Sequence, residues 1–378
     1  SSYASIANRV SYVMDFTGPS IALDTMCSSS LTALHLACES LRTGECNYAL
    51  VGGVNLSIHP QKYLYLGQGK FPSSDGRCRS FGDGGDGYVP GEGVGSVLLK
   101  PLSAAIADRD NIYGVILGSA VNHGGKTNGY TVPNPKAQTS VIAAAFDKAR
   151  IDPASISYIE CHGTGTALGD PIEIAGLENV FGNSRTVDNP IIIGSVKSNI
   201  GHLEAAAGMA SLSKVLLQFN ARTLVPSLHS NPPNSNISFA RLPFKVQTRV
   251  EEWNSNTAQP RRACISSFGA GGANAHVILE EYVAPTIDGA QSPDGLHLFV
   301  LSAKTTAALA HYVDCYQEAL IDGNLRNASI ADICFSSQIA REAFDYRLAI
   351  VVENKQDLLE KLGDYKRNDK NNNKSSSE

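Results

Sequence analysis

Apolar and polar positions alternate in blocks along the first 282 residues, with short apolar runs of strand length followed by longer stretches at helical spacing. Residues 19–23 read as a short buried strand, after which Leu31, Leu34, His35, Cys38 and Leu41 recur at helical intervals until Gly44 supplies a stop. Further strand-like runs occupy 95–99, 112–117, 156–159 and 191–194, and helical patterns fill 137–150, 172–181 and 204–219. Strands alternating with helices of this length predict layered α/β packing. Two last apolar runs, 263–266 and 276–279, flank a glycine-rich segment at 267–274 and predict a hairpin.

The pattern then changes. Residues 283–297 form a linker, marked by Pro, Asp, Gly and Ser, between the large unit at 1–282 and a small flanking α/β subdomain at 298–365. The small unit reads as strand (298–301), helix (305–320), helix (330–342), strand (347–352) and helix (355–362). The tail, 366–378, is rich in Asn, Lys and Ser without apolar residues, and is expected to be disordered.

Composition narrows the classes. Hydrophobic residues make up 43% and charged residues 18% of 378 positions, as in an ordinary globular protein, and the net charge of −5 offers nothing to nucleic acid. No apolar run is long enough for a membrane span. The eight cysteines show no CxxC pair and no regular framework, so they read as reduced thiols in a cytoplasmic protein rather than as a structural zinc site.

Among them Cys27 stands apart. It follows the strand pattern, precedes the helix pattern and borders Ser28-Ser29-Ser30. A cysteine at a helix N-terminus sees unpaired N–H groups and the positive end of the helix dipole, which favour a thiolate. The residues leave two readings open, a buried apolar filler or a nucleophile. His162, in His162-Gly163-Thr164-Gly165-Thr166, and His202, in Lys197-Ser198-Asn199-Ile200-Gly201-His202, each lie between a strand and a helix, and strengthen the second reading. His35 falls on the apolar face of its helix and reads as core. The segment Gly82-Asp83-Gly84-Gly85-Asp86-Gly87 formally matches a dinucleotide fingerprint, but no strand precedes it and no helix follows, so that function is rejected. Asp75, Asp83, Asp86 and Glu92 around it read as a solvated turn, with a weak cation site as the alternative.

These motifs resemble the ketosynthase domains of modular polyketide synthases, members of the thiolase-like condensing enzymes. The resemblance rests on Asp24-Thr25-Met26-Cys27-Ser28-Ser29-Ser30-Leu31, Gly87-Tyr88-Val89-Pro90-Gly91-Glu92-Gly93, the two histidine segments and Ser267-Phe268-Gly269-Ala270-Gly271-Gly272-Ala273-Asn274, in that order. Met26 and residues 122–133 resemble the branch served by a separate acyltransferase, and 298–365 resembles the small domain that follows such ketosynthases.

The resemblance implies a thiolase-like αβαβα layered fold whose first half is incomplete here, its N-terminal part lying in the same or another chain, plus a small α+β flanking domain. It implies a decarboxylative Claisen condensation. Cys27 would carry the acyl chain, while His162 and His202 would hold a malonyl-type extender thioester and assist loss of CO2. Lys197 would orient the site, Phe268 would supply a gate and, with the Cys27 N–H, an oxyanion hole, and Thr164, Thr166, Asn199 and Gly269 would contact substrate. The ketosynthase itself would need no cofactor and no metal; phosphopantetheine would arrive on an acyl carrier protein. The implied partners are that carrier, acyl and malonyl thioesters, and a second copy of the chain. The alternatives are a non-elongating chain-transfer or docking module and a fatty-acid ketoacyl synthase. A degradative thiolase would need a second cysteine in the glycine-rich hairpin, whereas Cys264 lies inside the preceding strand.

Overall fold

The computed structural model describes residues 2–254, 259–284, 295–339 and 341–375. The linker expected at 283–297 falls largely outside them. Two compact units divide the chain, Ser1–Ala284 and Pro285–Glu378.

In the first unit the helices are α1 (Ser5–Met14), α2 (Ser29–Thr43), α3 (Gln61–Gln68), α4 (Leu102–Ala107), α5 (Pro135–Ala149), α6 (Gly169–Phe181), α7 (Lys197–Ile200) and α8 (Ala207–Ala221). The strands are β1 (Ala49–Asn55), β2 (Gly93–Leu99), β3 (Val115–His123), β4 (Tyr158–Glu160), β5 (Ile191–Gly194), β6 (Thr223–Leu224), β7 (Phe244–Val246), β8 (Glu251–Glu252), β9 (Arg262–Phe268) and β10 (Ala273–Glu280). A six-stranded mixed sheet runs β3-β10-β9-β4-β5-β7, with β9 and β10 forming the expected hairpin. Four consecutive strands of it, β9, β4, β5 and β7, run parallel.

Period-two alternation sends the strand side chains to opposite sides of this sheet. One side packs Ile159, Ile193, Cys264 and Ile278 against Val141, Ile142 and Phe146 of α5 and Ile174, Leu177 and Phe181 of α6. The other packs Tyr158, Ile265, Ala275 and Val277 against Leu31 and Leu34 of α2 and Met209, Leu212 and Val215 of α8. Each fully buried aliphatic side chain contributes about 1.5–3 kcal/mol. Beyond α2 and α8 lies the antiparallel β1–β2 pair, whose Val51, Val97 and Leu99 face the same helices while Leu50, Val94 and Leu98 point outward. The layers therefore run helix, sheet, helix, sheet, and the strand ends and helix starts of the middle layers meet around Cys27.

Three expectations need correction. Residues 19–23 make no strand: no neighbouring strand pairs with them, Ile21 is exposed, and Ser20 is instead engaged with Ser11 and Asn8. Helix 204–219 begins later, at Ala207, because a 3-10 turn occupies Glu204–Ala206. In the second unit β11 (His297–Ala303), α9 (Thr306–Ile321), α10 (Ile330–Ile339) and β12 (Tyr346–Val352) follow the sequence pattern, with β11 and β12 antiparallel. The last helix, α11 (Lys355–Ser375), runs on into the tail expected to be disordered. It is anchored by buried Leu358 and Leu362 and by the Lys366–Asp314 ion pair, and once nucleated a helix extends by one hydrogen bond per residue fixed. Residues 376–378 lie outside the described residues. This unit has its own core, with Phe299, Val313, Val352 and Leu362 fully buried.

Candidate active site

Cys27 stands one residue before Ser28, the residue that precedes the first turn of α2. Met26, just upstream, has φ +56°, a left-handed conformation costing a non-glycine residue about 1 kcal/mol or more. Two local bonds hold it: the Met26 N–H donates to Asp24 Oδ1 at 2.7 Å, and Ser29 Oγ donates to the Met26 carbonyl at 2.6 Å. The sharp turn so fixed presents the Cys27 side chain at the start of the helix.

The glycine-rich turn between β9 and β10 closes over it. Ser267 Oγ donates to the Cys27 carbonyl at 3.1 Å. Gly269 has no room for a side chain, since a Cβ there would lie 2.5 Å from the Thr25 carbonyl oxygen. The amides of Ala270 and of Cys27 itself both favour the ionised form of the Cys27 sulfur. This corrects the sequence expectation for Phe268. The Phe268 N–H is turned the other way, donating to His162 Nδ1 at 3.3 Å, because Phe268 still belongs to β9 whereas Ala270 lies in the turn. Gly269 likewise spends its N–H inside the turn, on the Ala273 carbonyl at 2.7 Å.

His162 follows β4, and Glu173 of α6 holds its loop. One carboxylate oxygen accepts the His162 N–H at 2.7 Å and the other the Gly163 N–H at 2.8 Å. Asp170 does the same for Phe81 and Gly165, at 2.7 and 3.1 Å. The acidic glycine-rich loop expected to be a solvated turn is wedged against this segment, with the place of a Gly85 Cβ only 2.4 Å from the Gly165 carbonyl oxygen. Its aspartates have partners of their own, Asp75 pairing with Arg79 and Asp83 accepting from Ser235. Among the described residues no group of three or more His, Cys, Asp or Glu could hold a metal ion.

His202 is fully buried and sits edge-on to two rings, Tyr88 at 4.7 Å and His162 at 5.5 Å between centroids. Its Nδ1 accepts the Glu204 N–H at 3.1 Å. In both histidines, then, Nδ1 accepts a backbone N–H, which places the remaining proton on Nε2. Among the described residues, neither His202 Nε2 nor the Nζ of buried Lys197 has a hydrogen-bond partner.

Burial sets the electrostatics. Desolvation, reinforced by the charge of Lys197, pushes both imidazoles well below their ordinary range, so they are neutral at pH 7. Burial also pushes the Cys27 thiol up to about 11, outweighing Lys197 and the two amides. The helix-terminus expectation of a thiolate is thereby reversed: Cys27 rests as a thiol. Lys197 itself is held below its usual range by burial, while Glu160 and Glu173 act in the opposite sense.

Of the expected substrate contacts, Thr164 and Thr166 are half-buried with their hydroxyls 3.3 Å apart, and Asn199 is exposed at the end of α7, its Oδ1 accepting from Ser198. The sequence reading missed Asp170, Glu173 and Ala270. The signal for the first two was the pair of acids in the first turns of α6, placed where a preceding loop has unpaired N–H groups to satisfy. His35 is core, as expected, bonded to Ser119 at 2.9 Å.

Family profiles match along the chain in the order these parts occur: "Beta-ketoacyl synthase, N-terminal domain" over residues 1–105 and "Beta-ketoacyl synthase, C-terminal domain" over 113–231. A third, "CurL-like, PKS C-terminal", covers 297–362. The chain belongs to the β-ketoacyl synthase family, as a ketosynthase domain of the polyketide synthase type. Polyketide synthase PksL of Bacillus subtilis is 57% identical over 368 residues, covering 95% of this chain and 8% of that protein. Among solved structures, the oxazolomycin ketosynthase domain OzmH KS7 of Streptomyces albus is 52% identical with a TM-score of 0.88, over 97% of this chain and 63% of the other. The ketosynthase from module 6 of the bacillaene synthase of Bacillus subtilis is 43% identical with a TM-score of 0.86, over 96% and 63%. The chain thus spans about a twelfth of its curated relative and under two thirds of the solved ketosynthase chains. No described helix is long and apolar enough to cross a membrane.

Proposed function

We propose that this site joins carbon chains by decarboxylative condensation, with Cys27 as acyl carrier and His162 and His202 as hydrogen-bond donors to the extender. The observation that carries the reading is the pair of neutral imidazoles, each with Nδ1 occupied by a backbone N–H and Nε2 left to donate.

In the first half-reaction the Cys27 sulfur attacks an acyl thioester, the carbon–sulfur bond to the incoming carrier breaks, and the Cys27 proton ends on the departing thiol. The negative oxygen of the tetrahedral intermediate would lie against the Cys27 and Ala270 amides, donors fixed before the reaction begins. In the second, a malonyl thioester binds with its carbonyl oxygen at the two Nε2–H groups. Loss of CO2 leaves an enolate whose charge those donors stabilise, an interaction stronger in the transition state than in the ground state. The enolate carbon attacks the Cys27 thioester, the carbon–sulfur bond breaks, and the sulfur takes up a proton. Lys197, close enough to act on Cys27 and both histidines, would in its protonated form favour each negative species.

An acyl carrier protein bearing phosphopantetheine, a second copy of the chain and a separately encoded acyltransferase are the partners this reading implies. Support for the last is the likeness of Met26 and residues 122–133 to that branch. His162 counts against a purely chain-passing module. The test is intact-protein mass spectrometry of the natural polypeptide containing these residues, incubated with acyl thioester. An adduct on Cys27 that disappears in Cys27→Ala is expected, with release of CO2 from malonyl carrier. Acylation without CO2 release would leave only the chain-transfer role.

A further inference from the structure

Glu204 has no part in the chemistry just described, yet its conformation is out of the ordinary. Its φ is +43°, a region that glycine adopts freely and that other residues avoid. Such a conformation persists only where the surroundings over-determine it. Here the carboxylate is gripped at both oxygens: Lys62 Nζ lies 2.8 Å from Oε2, and the Tyr88 hydroxyl donates to Oε1 at 3.2 Å. Lys62 is itself tied down, donating to Asn55 Oδ1 at 2.7 Å from the end of β1. The consequence of the left-handed turn is that the Glu204 N–H meets His202 Nδ1 at 3.1 Å. The His202 main chain is fixed separately, its N–H on the Val89 carbonyl at 2.8 Å and its carbonyl accepting from Gly91 at 2.9 Å. What remains free is the ring tautomer, and only the Glu204 N–H decides it. Tyr88 serves twice, as anchor for Glu204 and as edge-on neighbour of the His202 ring.

We propose that Glu204, held by Lys62 and Tyr88, is a positioning residue that keeps His202 in its Nε2–H tautomer, so that the unpartnered Nε2 presents a proton to the extender thioester. The assignment rests on the condensation reading and adds to it a residue that touches neither substrate nor sulfur. Because His202 acts in the second half-reaction, loss of Glu204 affects decarboxylation and spares the acylation of Cys27. A residue needed merely for stability would lower both.

The experiment measures the two half-reactions separately in the natural polypeptide: acyl transfer to Cys27 by mass spectrometry, and CO2 release from malonyl carrier. Glu204→Ala is expected to slow CO2 release about tenfold or more, the usual effect of removing an outer-shell partner, with acylation within about twofold of the parent. Glu204→Gly is the decisive companion. Glycine takes the left-handed turn without strain and still offers its N–H to Nδ1, so it should recover a substantial part of what alanine loses. Tyr88→Phe, which removes one anchor and keeps the ring, should show the same split more weakly and covers the case in which Glu204→Ala does not fold. Equal loss of both half-reactions in every variant, unchanged CO2 release in Glu204→Ala, or no advantage of glycine over alanine would overturn the assignment. Absence of acylation in the parent protein would instead overturn the condensation reading.

Discussion

At the scale of single residues, the opposed protonation of Cys27 and its histidines has a measurable consequence. A thiol pushed up to about 11 is almost wholly protonated at pH 7, so its alkylation by iodoacetamide should rise roughly tenfold per pH unit through pH 8–10. Cysteine-specific peptide mapping across that range checks this, and a rate that levels off near pH 8 would contradict it. The imidazoles behave oppositely. Burial disfavours their acid forms, so they are neutral at pH 7 and able to donate from Nε2 while accepting at Nδ1. Cys27, His162 and His202 were legible because small and glycine residues surround reactive ones at strand-to-helix junctions. The direction of the Cys27 shift was not, because desolvation depends on which atoms enclose the sulfur, and those come from β9, β10 and Lys197, far off in sequence. The expectation that the Phe268 N–H faces Cys27 failed for a similar cause: a glycine-rich string does not say which of its amides the turn will aim inward.

At the scale of elements, the His162 loop depends on acids borrowed from the next helix. Burial pushes Asp170 up to about 6 and Glu173 up to about 7, above their unfolded values. Groups with raised folded values stabilise the protein below the ordinary carboxylate range and lose that contribution as pH rises through 6–7. The melting temperature should therefore decline between pH 5 and 8 by an amount that Glu173→Gln reduces, as read by calorimetry. Glu173→Ala strips two buried N–H groups of their acceptor and should cost about 2–3 kcal/mol, measured by urea denaturation. The hairpin 262–280 and helices α5 and α6 were evident from periodicity alone. The failed strand at 19–23 shows the limit of that signal, for an apolar run becomes a strand only where another strand offers it hydrogen bonds.

At the scale of the whole molecule, the two units have separate cores, so damage to one can be confined. Phe299 is fully buried in the second unit, its ring edge-on to Tyr316 at 5.1 Å. Phe299→Ala should destabilise that unit by about 3–5 kcal/mol while Cys27 acylation stays within twofold of the parent, measured by limited proteolysis alongside mass spectrometry. A proportional loss of acylation would show that the units are energetically joined. Layered α/β packing was readable from alternating strand and helix patterns, whereas the helical continuation of α11 to Ser375 was not, since it grows from the packed Leu358 and Leu362 rather than from its own composition.

The donors at the Cys27 sulfur also bear on how freely such a chain can diverge. Both belong to the main chain, at Cys27 and Ala270, so nearly every exchange at position 270 alters bulk beside the nucleophile and leaves the N–H in place. Proline is the exception, having no N–H to give. Neutral drift can therefore reshape the space around the Cys27 sulfur while the two N–H groups beside it stay out of reach of most point mutations.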